Sequence, residues 1–351
     1  MLSRHRNQRT RSLPVRAVVV GLAAVLAAAA ASGCGETDTA TDTKVTLLTH
    51  DSFVLPQPVL DEFTKQTGLT LQLVTSGDAG QLASAISLTP GKPKADAVYG
   101  IDNTFASRPI KAGALDPYTP ATATTGAADY TYGNGGELTA IDHSDVCVNV
   151  DPAWYRQRGQ TPPTTIEQLT DPRYRGQMVA LDPATSSPGL AFLFATIAAH
   201  PGDWQAYWGK LRANDVQIVS GWETAYNQEF SGAEGKGPKP IVVSYSSSPA
   251  DNTATTALLD GCFRQVEYAG VLRGAGNTAG ARKAVDFLLS DAVQRALPEN
   301  DYVYPVQDGV PLPDSWAKFA PAPQKPLSLP EQQISDNREQ WQQQWRTVMG
   351  R

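Results

Sequence analysis

The stretch Val45-Thr-Leu-Leu-Thr-His-Asp-Ser-Phe-Val-Leu-Pro-Gln-Pro-Val-Leu-Asp-Glu-Phe-Thr-Lys-Gln-Thr-Gly-Leu-Thr-Leu-Gln-Leu-Val74 decides the fold. Val45 to His50 reads as a strand. Val59, Leu60 and Phe63 then recur at helical spacing, and Gly68 is a helix stop. Leu69 to Val74 alternates apolar and polar residues, as a second strand does. Beyond it, Leu82, Ile86 and Leu88 mark another helix and Ala95 to Tyr99 a third strand. Strand, helix, strand in this order argues for parallel βαβ units.

The same grammar restarts further along. Met178 to Leu181 reads as a strand, Pro188 to His200 and Trp204 to Leu211 as helices, and Val216–Val219 and Ile241–Val243 as strands. Leu138–Val150 and Phe263–Val271 read as strands crossing between the two blocks. Ala281–Leu289 and Pro330–Val348 read as closing helices. The expectation is an α/β clamshell of two lobes, each a mixed β-sheet flanked by helices, joined by hinge strands, with a cleft between them. Residues 44–142 plus 268–351 form lobe 1, and residues 143–267 form lobe 2.

The start of the chain is a targeting segment. Arg4, Arg6, Arg9, Arg11 and Arg16 precede an apolar run, Ala17 to Gly33, that is short for a membrane span and ends in small residues. Ala31-Ser32-Gly33-Cys34 resembles a bacterial lipobox, with Ala31 where Leu is commonest. The expectation is a lipoprotein signal peptide over residues 1–34, a lipid on Cys34, and a polar tether over residues 35–43. The protein is then exported and anchored to the outer face of the cell membrane. With five of its 29 basic residues in the leader, the remainder carries 24 against 35 acidic residues, a net charge of −11. Such a chain should not seek nucleic acid.

Apart from Cys34, the cysteines are Cys147 and Cys262. An exported location permits a disulfide between them, beside the two crossing strands; two buried free thiols are the other reading. The four histidines, His5, His50, His143 and His200, show no metal-ligand spacing, and no metal or cofactor is expected. Neither a Gly-x-Ser-x-Gly elbow nor a Walker-type loop occurs, so an enzyme is not expected.

Two further segments carry binding chemistry. Val219-Ser-Gly-Trp-Glu-Thr-Ala-Tyr226 and Val243-Ser-Tyr-Ser-Ser-Ser-Pro249 each end a strand-like run with aromatic rings among small polar residues. Trp222, Tyr226 and Tyr245, with Tyr302, offer faces for a flat cation. Asp51, Asp78 and Asp102 follow strands and offer carboxylates, although helix capping explains such residues equally. Ser186-Ser187-Pro188-Gly189 suits a helix start, with Ser187 as N-cap and Pro188 in the first turn, and a helix start also favours anions.

Six words in order carry a resemblance: His50-Asp-Ser-Phe53, Gly100-Ile-Asp-Asn103, Asp182 to Leu190, Gly221-Trp-Glu-Thr-Ala-Tyr226, Ser244 to Pro249, and Tyr302-Val-Tyr-Pro-Val306. Together the chain resembles the thiamine-binding receptors of ABC importers, from about Val45 to Trp345. The resemblance implies a monomeric receptor that takes thiamine or its phosphates between its lobes and delivers it to a permease. It implies ligand contacts from Asp78-Ala79, Ser186-Ser187, Trp222 and the run Tyr245-Ser246-Ser247-Ser248. Asp142-His-Ser-Asp145 stands where such receptors often carry Asp-Tyr-Gly-Tyr. The rival readings are a receptor for a polyamine or ferric ion, and a lipid-anchored enzyme acting on thiamine-like pyrimidines.

Overall fold

Two long antiparallel strands cross the middle of one mixed sheet, and every other strand is placed by reference to them. The computed structural model describes residues 43–351 except 124, 125, 135 and 235, so the leader, Cys34 and tether residues 35–42 lie outside the described residues. The strands are β1 (Lys44–Thr49), β2 (Thr70–Thr75), β3 (Ala97–Asp102), β4 (Leu115–Asp116), β5 (Thr139–Val150), β6 (Met178–Leu181), β7 (Gln217–Val219), β8 (Ile241–Tyr245), β9 (Thr256–Leu272) and β10 (Tyr304–Pro305). Their order is β2-β1-β3-β9-β5-β8-β6-β7, with β4 beside β9 and β10 beside β5.

At one end β2, β1 and β3 run parallel. At the other, β8, β6 and β7 run parallel. The antiparallel pair β5 and β9 joins them. The second half of β9 pairs with β3, and the second half of β5 pairs with β8. Each long strand thus serves one end of the sheet and then the other. This is the two-lobed clamshell that the alternating sequence pattern and the two crossings predicted. β3 and β6 are buried throughout, as parallel strands covered on both faces must be.

The helices begin and end on local signals. Gln57–Thr67 opens after Pro56 with Pro58 in its first turn and closes on Gly68 in the left-handed conformation. Ala79–Ser87 carries a reciprocal capping box between Asp78 and Gln81. Ser187–Ala199 is apolar on every side, with eleven of its thirteen residues buried, as a helix enclosed by the core must be. The closing helix Glu331–Met349 packs Trp345 against Trp208, with ring centroids 5.5 Å apart. Its Arg338 reaches the Phe105 carbonyl while its Gln342 donates to the Pro183 carbonyl, so it touches both lobes. No helix among the described residues is long and apolar enough to cross a membrane.

Two glycines are dictated by close approach. Gly100 interrupts β3 at φ +93°, where a Cβ would lie 2.2 Å from the His50 ring. Gly80 lets the first turn of its helix meet the opposite lobe; a Cβ there would lie 2.7 Å from the Thr185 carbonyl, to which its own N–H reaches across.

Cys147 on β5 and Cys262 on β9 are joined by a disulfide, with Cα atoms 4.4 Å apart. It fastens the two crossing strands where their register shifts between Val146 and Val148. The cross-link spans 115 residues, which the chain-entropy account values at about 4–5 kcal/mol. Replacing both cysteines by Ala should therefore lower unfolding free energy by roughly 2–5 kcal/mol, read from denaturant curves. An unchanged midpoint would show that the bridge constrains nothing the fold does not already fix.

Candidate functional site

The cleft takes its shape from three helix starts that meet at one carboxylate. Asp78 caps its own helix by accepting from the Ala79 N–H at 2.6 Å. The same oxygen accepts from the Ser187 N–H at 3.1 Å, and its other oxygen from the Trp222 N–H at 3.0 Å. Those two donors belong to the opposite lobe. Ser187 is therefore the first helical residue, Ser186 occupies the N-cap position without a capping side-chain bond, and the cap is supplied from across the cleft. Burial pushes the Asp78 carboxyl above the usual range, against these hydrogen bonds.

A second bridge lies deeper. Asp102 is fully buried and accepts from the Thr104 hydroxyl, the Phe105 N–H and the Ser187 hydroxyl. Burial raises it to about 7, with the Glu267 carboxylate adding to the rise.

These contacts enclose a cavity of about 720 Å³, including space open to solvent, within the range of small-molecule sites. One wall is aromatic. Trp222 and Tyr226 stand four residues apart on the segments Trp222–Thr224 and Ala225–Glu229, the latter a π-helical turn. Their rings stack with centroids 4.9 Å apart and an 11° tilt. The Trp222 indole N–H donates to Ser244 Oγ at 2.8 Å, which fixes the ring at the end of β8. Tyr245 stands 6.4 Å from it at 49°. Tyr302 closes the mouth with a left-handed backbone, φ +55°, uncommon for a bulky residue. Burial and the Asp251 carboxylate beside it raise its hydroxyl.

The lining is also acidic. Asp78, Asp251, Glu267 and Asp301 contribute to it, with His50 among them. The His50 imidazole lies 3.6 Å from Glu267. Burial alone would push it down, but Glu267, Asp301 and Asp78 prevail and hold it at about 9. Burial likewise opposes ionisation of Glu267, yet His50 and neighbouring donors keep it below the usual carboxylate range. Asp142 is the opposite case: burial, then the Glu267 charge, pushes it well above that range, and the Tyr99 hydroxyl sits 2.6 Å from it. Asp301 accepts from the Val54 N–H and is raised by burial to about 7.

Of the residues singled out from sequence, Asp78, Ala79, Ser187, Trp222, Tyr226, Tyr245, Ser247, Ser248 and Tyr302 line this one cavity. Asp51 is exposed and does not line it. Asp102, Ser186 and Ser246 are buried behind it. Sequence reasoning missed His50, Ser52, Asp251, Gln265, Glu267 and Asp301 as cavity residues. For Gln265 and Glu267 a signal existed: polar residues two apart within the otherwise apolar second half of β9. His143 does not line the cavity. It lies between the Tyr130 and Tyr304 rings, at 4.7 and 5.3 Å, and burial with Arg264 nearby lowers it to about 3. Asp145 beside it is held by Arg264 at 2.7 Å. Among the described residues, no group of three or more His, Cys, Asp or Glu is placed to hold a metal ion.

Comparison with known proteins matches this geometry to a family. The family of bacterial extracellular solute-binding proteins matches residues 92–335. The thiamine-binding periplasmic protein of Escherichia coli (strain K12) is 28% identical over 325 residues, covering 88% of this chain and 94% of that one. A solved structure of a periplasmic thiamin binding protein superposes with a TM-score of 0.77 at 25% identity, covering 88% and 96%. Iron-bound HitA from Pseudomonas aeruginosa shares the fold, with a TM-score of 0.71 at 20% identity, covering 87% and 99%. The chain belongs to the bacterial extracellular solute-binding proteins.

Proposed function

We propose that the protein is a receptor that captures thiamine between its lobes and hands it to a membrane importer. The observation that carries this is that aromatic rings, Trp222 and Tyr245, and acidic side chains, Asp78, Glu267 and Asp301, line one cavity. Thiamine is a flat permanent cation with an aminopyrimidine ring. An aromatic face attracts such a cation by about 0.5–2 kcal/mol, more where water is excluded. The carboxylates oppose its charge, and Gln265 and the hydroxyls of Tyr245 and Ser247 offer hydrogen bonds to the pyrimidine. Similarity to thiamine-binding proteins over most of the chain supports the same ligand. With the lipobox at Cys34, the receptor is a monomer tethered to the outer face of the membrane, and its closed form docks on an ABC permease.

The alternatives have less to stand on. A ferric site would need clustered oxygen ligands, and Tyr302 and Tyr304 are separated by Val303 and diverge: Tyr302 faces the cavity while Tyr304 packs against His143 and Trp316. A hydrolase would need a base on a nucleophile. The Ser187 hydroxyl instead serves Asp102, Ser248 shares a hydrogen with Ser244, and both cysteines outside the leader are bonded together.

Calorimetry on the mature protein with thiamine and with spermidine tests the reading: heat with thiamine is expected, and its absence from folded protein overturns it. Trp222→Ala should weaken thiamine binding by roughly 1–3 kcal/mol, whereas unchanged affinity would leave Trp222 a packing residue.

Acidity should matter in a defined direction. As pH falls through about 7, Asp301 takes up its proton and the wall loses negative charge. As pH rises through about 9, His50 loses its proton and a competing positive charge disappears. Affinity for thiamine should therefore rise from pH 6 to pH 9, with protons released on binding near pH 7. Titrations in buffers of different ionisation heat measure both, and Asp301→Asn should flatten the lower part of the profile.

A further inference from the structure

We infer that the end of lobe 1 farthest from the cleft is a membrane-facing surface that engages anionic phospholipid headgroups; this rests on the reading of Cys34 as a lipid anchor. Strands β1 and β2 run away from this end: β1 leads into His50 and the chain after β2 into Asp78, which both line the cavity. Their starts gather with the turn before β3 and the turn after β9. The Thr70 N–H donates to the Thr43 carbonyl at 2.8 Å. The Asp96 carboxylate accepts from the N–H groups of Thr46 and Asn277 at 2.8 and 2.9 Å, and the Leu272 N–H reaches the Asp96 carbonyl at 3.0 Å. The chain enters the fold here, so the tether ends on this face.

The face carries the charge that such a membrane attracts. Lys44, Lys65, Lys92, Lys94 and Arg273 stand exposed on it. Glu62 meets Lys65 and Asp116 meets Arg273, each at 3.1 Å, and Asp96 is turned to the backbone. Lys92 and Lys94 enter no ion pair among the described residues. Leu88, at 77% the most exposed large apolar side chain among the described residues, opens the same turn. A basic residue near an anionic bilayer contributes about fivefold in binding, and only within a Debye length. Tether residues 35–43, fully extended, reach about 30 Å at most, which keeps these lysines at high effective concentration over the headgroups. The remainder of the mature chain, acidic on balance, is repelled. Arg175 and Lys210 mark a second basic end, on lobe 2, but no tether leads there. Docked on the lobe 1 face, the receptor opens its cleft away from the bilayer, toward arriving solute.

The lipoprotein tests this, reconstituted into vesicles of phosphatidylcholine alone or of phosphatidylcholine and phosphatidylglycerol in equal parts. An environment-sensitive dye on Leu88→Cys reports contact with the bilayer. Its emission should shift to the blue with phosphatidylglycerol, stay unshifted without it, and return at high salt. Lys92→Glu with Lys94→Glu should weaken docking by at least about tenfold. Arg175→Glu with Lys210→Glu makes the same change of charge at the far end of lobe 2 and should leave docking as it was. Both variants should keep the parent's unfolding midpoint, so that a loss of docking is not a loss of fold. No shift with phosphatidylglycerol, or equal loss in the two double variants, overturns the membrane face while leaving the anchor reading intact. An intact mass without an acyl group on Cys34 overturns both.

Discussion

The Asp78 carboxylate is the point on which the cleft depends. Three helix starts, from segments far apart in sequence, each bring an unsatisfied N–H to it. A helix start leaves such donors without partners inside the helix, and leaving them buried and unpaired is costly. One anion resolves three shortages at once, and two of them belong to the other lobe. The position of Trp222 follows from this, because its backbone is held by Asp78 and its indole by Ser244. Tyr226 stacks on one face of that ring, and both rings line the cavity with Tyr245.

Beneath the cavity lies a set of titratable groups whose burial works against their charge. His50, Glu267, Asp142, Tyr99 and Asp301 share a few ångströms of low-dielectric space. They divide into an ion pair, His50 with Glu267, and two carboxyls that burial raises, Asp142 well above the usual range and Asp301 to about 7. Such an arrangement is tolerable only when each charge meets its opposite. With Asp78 and Asp251 also lining the cavity, carboxyl groups outnumber basic side chains there, four to one. That lining suits a cationic ligand better than an anionic one.

Much of this architecture was legible in the sequence. The strands of both parallel ends, the two crossing strands and five of the six helices of ten or more residues follow from periodicity and from Gly and Pro stops; the sixth, Asp291–Asn300, does not. The aromatic wall was legible because Trp222 and Tyr245 follow strand ends, where α/β clefts open. The acidic wall was not. Asp251, Glu267 and Asp301 come from a loop-side helix, mid-strand and a helix end, far apart in sequence, and the fold brings them to one cavity. Asp51 shows the converse limit: sharing a loop with His50 does not give it the same orientation. The one-residue shift at Ser186-Ser187 has a tertiary cause, since the hydroxyl that would cap the helix turns to Asp102 and a distant carboxylate caps instead.

The long strand β9 has a consequence for how the chain reaches this state. Val98 pairs with Gly270, and Thr139 with Ala269, so the first parallel end gains its inner neighbour only from residues late in the sequence. Until they are available, β3 presents an open edge and the lobe it belongs to lacks part of its sheet. Pairings of such high sequence separation are slow to form. A nascent chain would therefore remain without its native tertiary structure through most of its synthesis, which is the condition a polypeptide must keep if it is to be threaded through a narrow translocation pore before it folds.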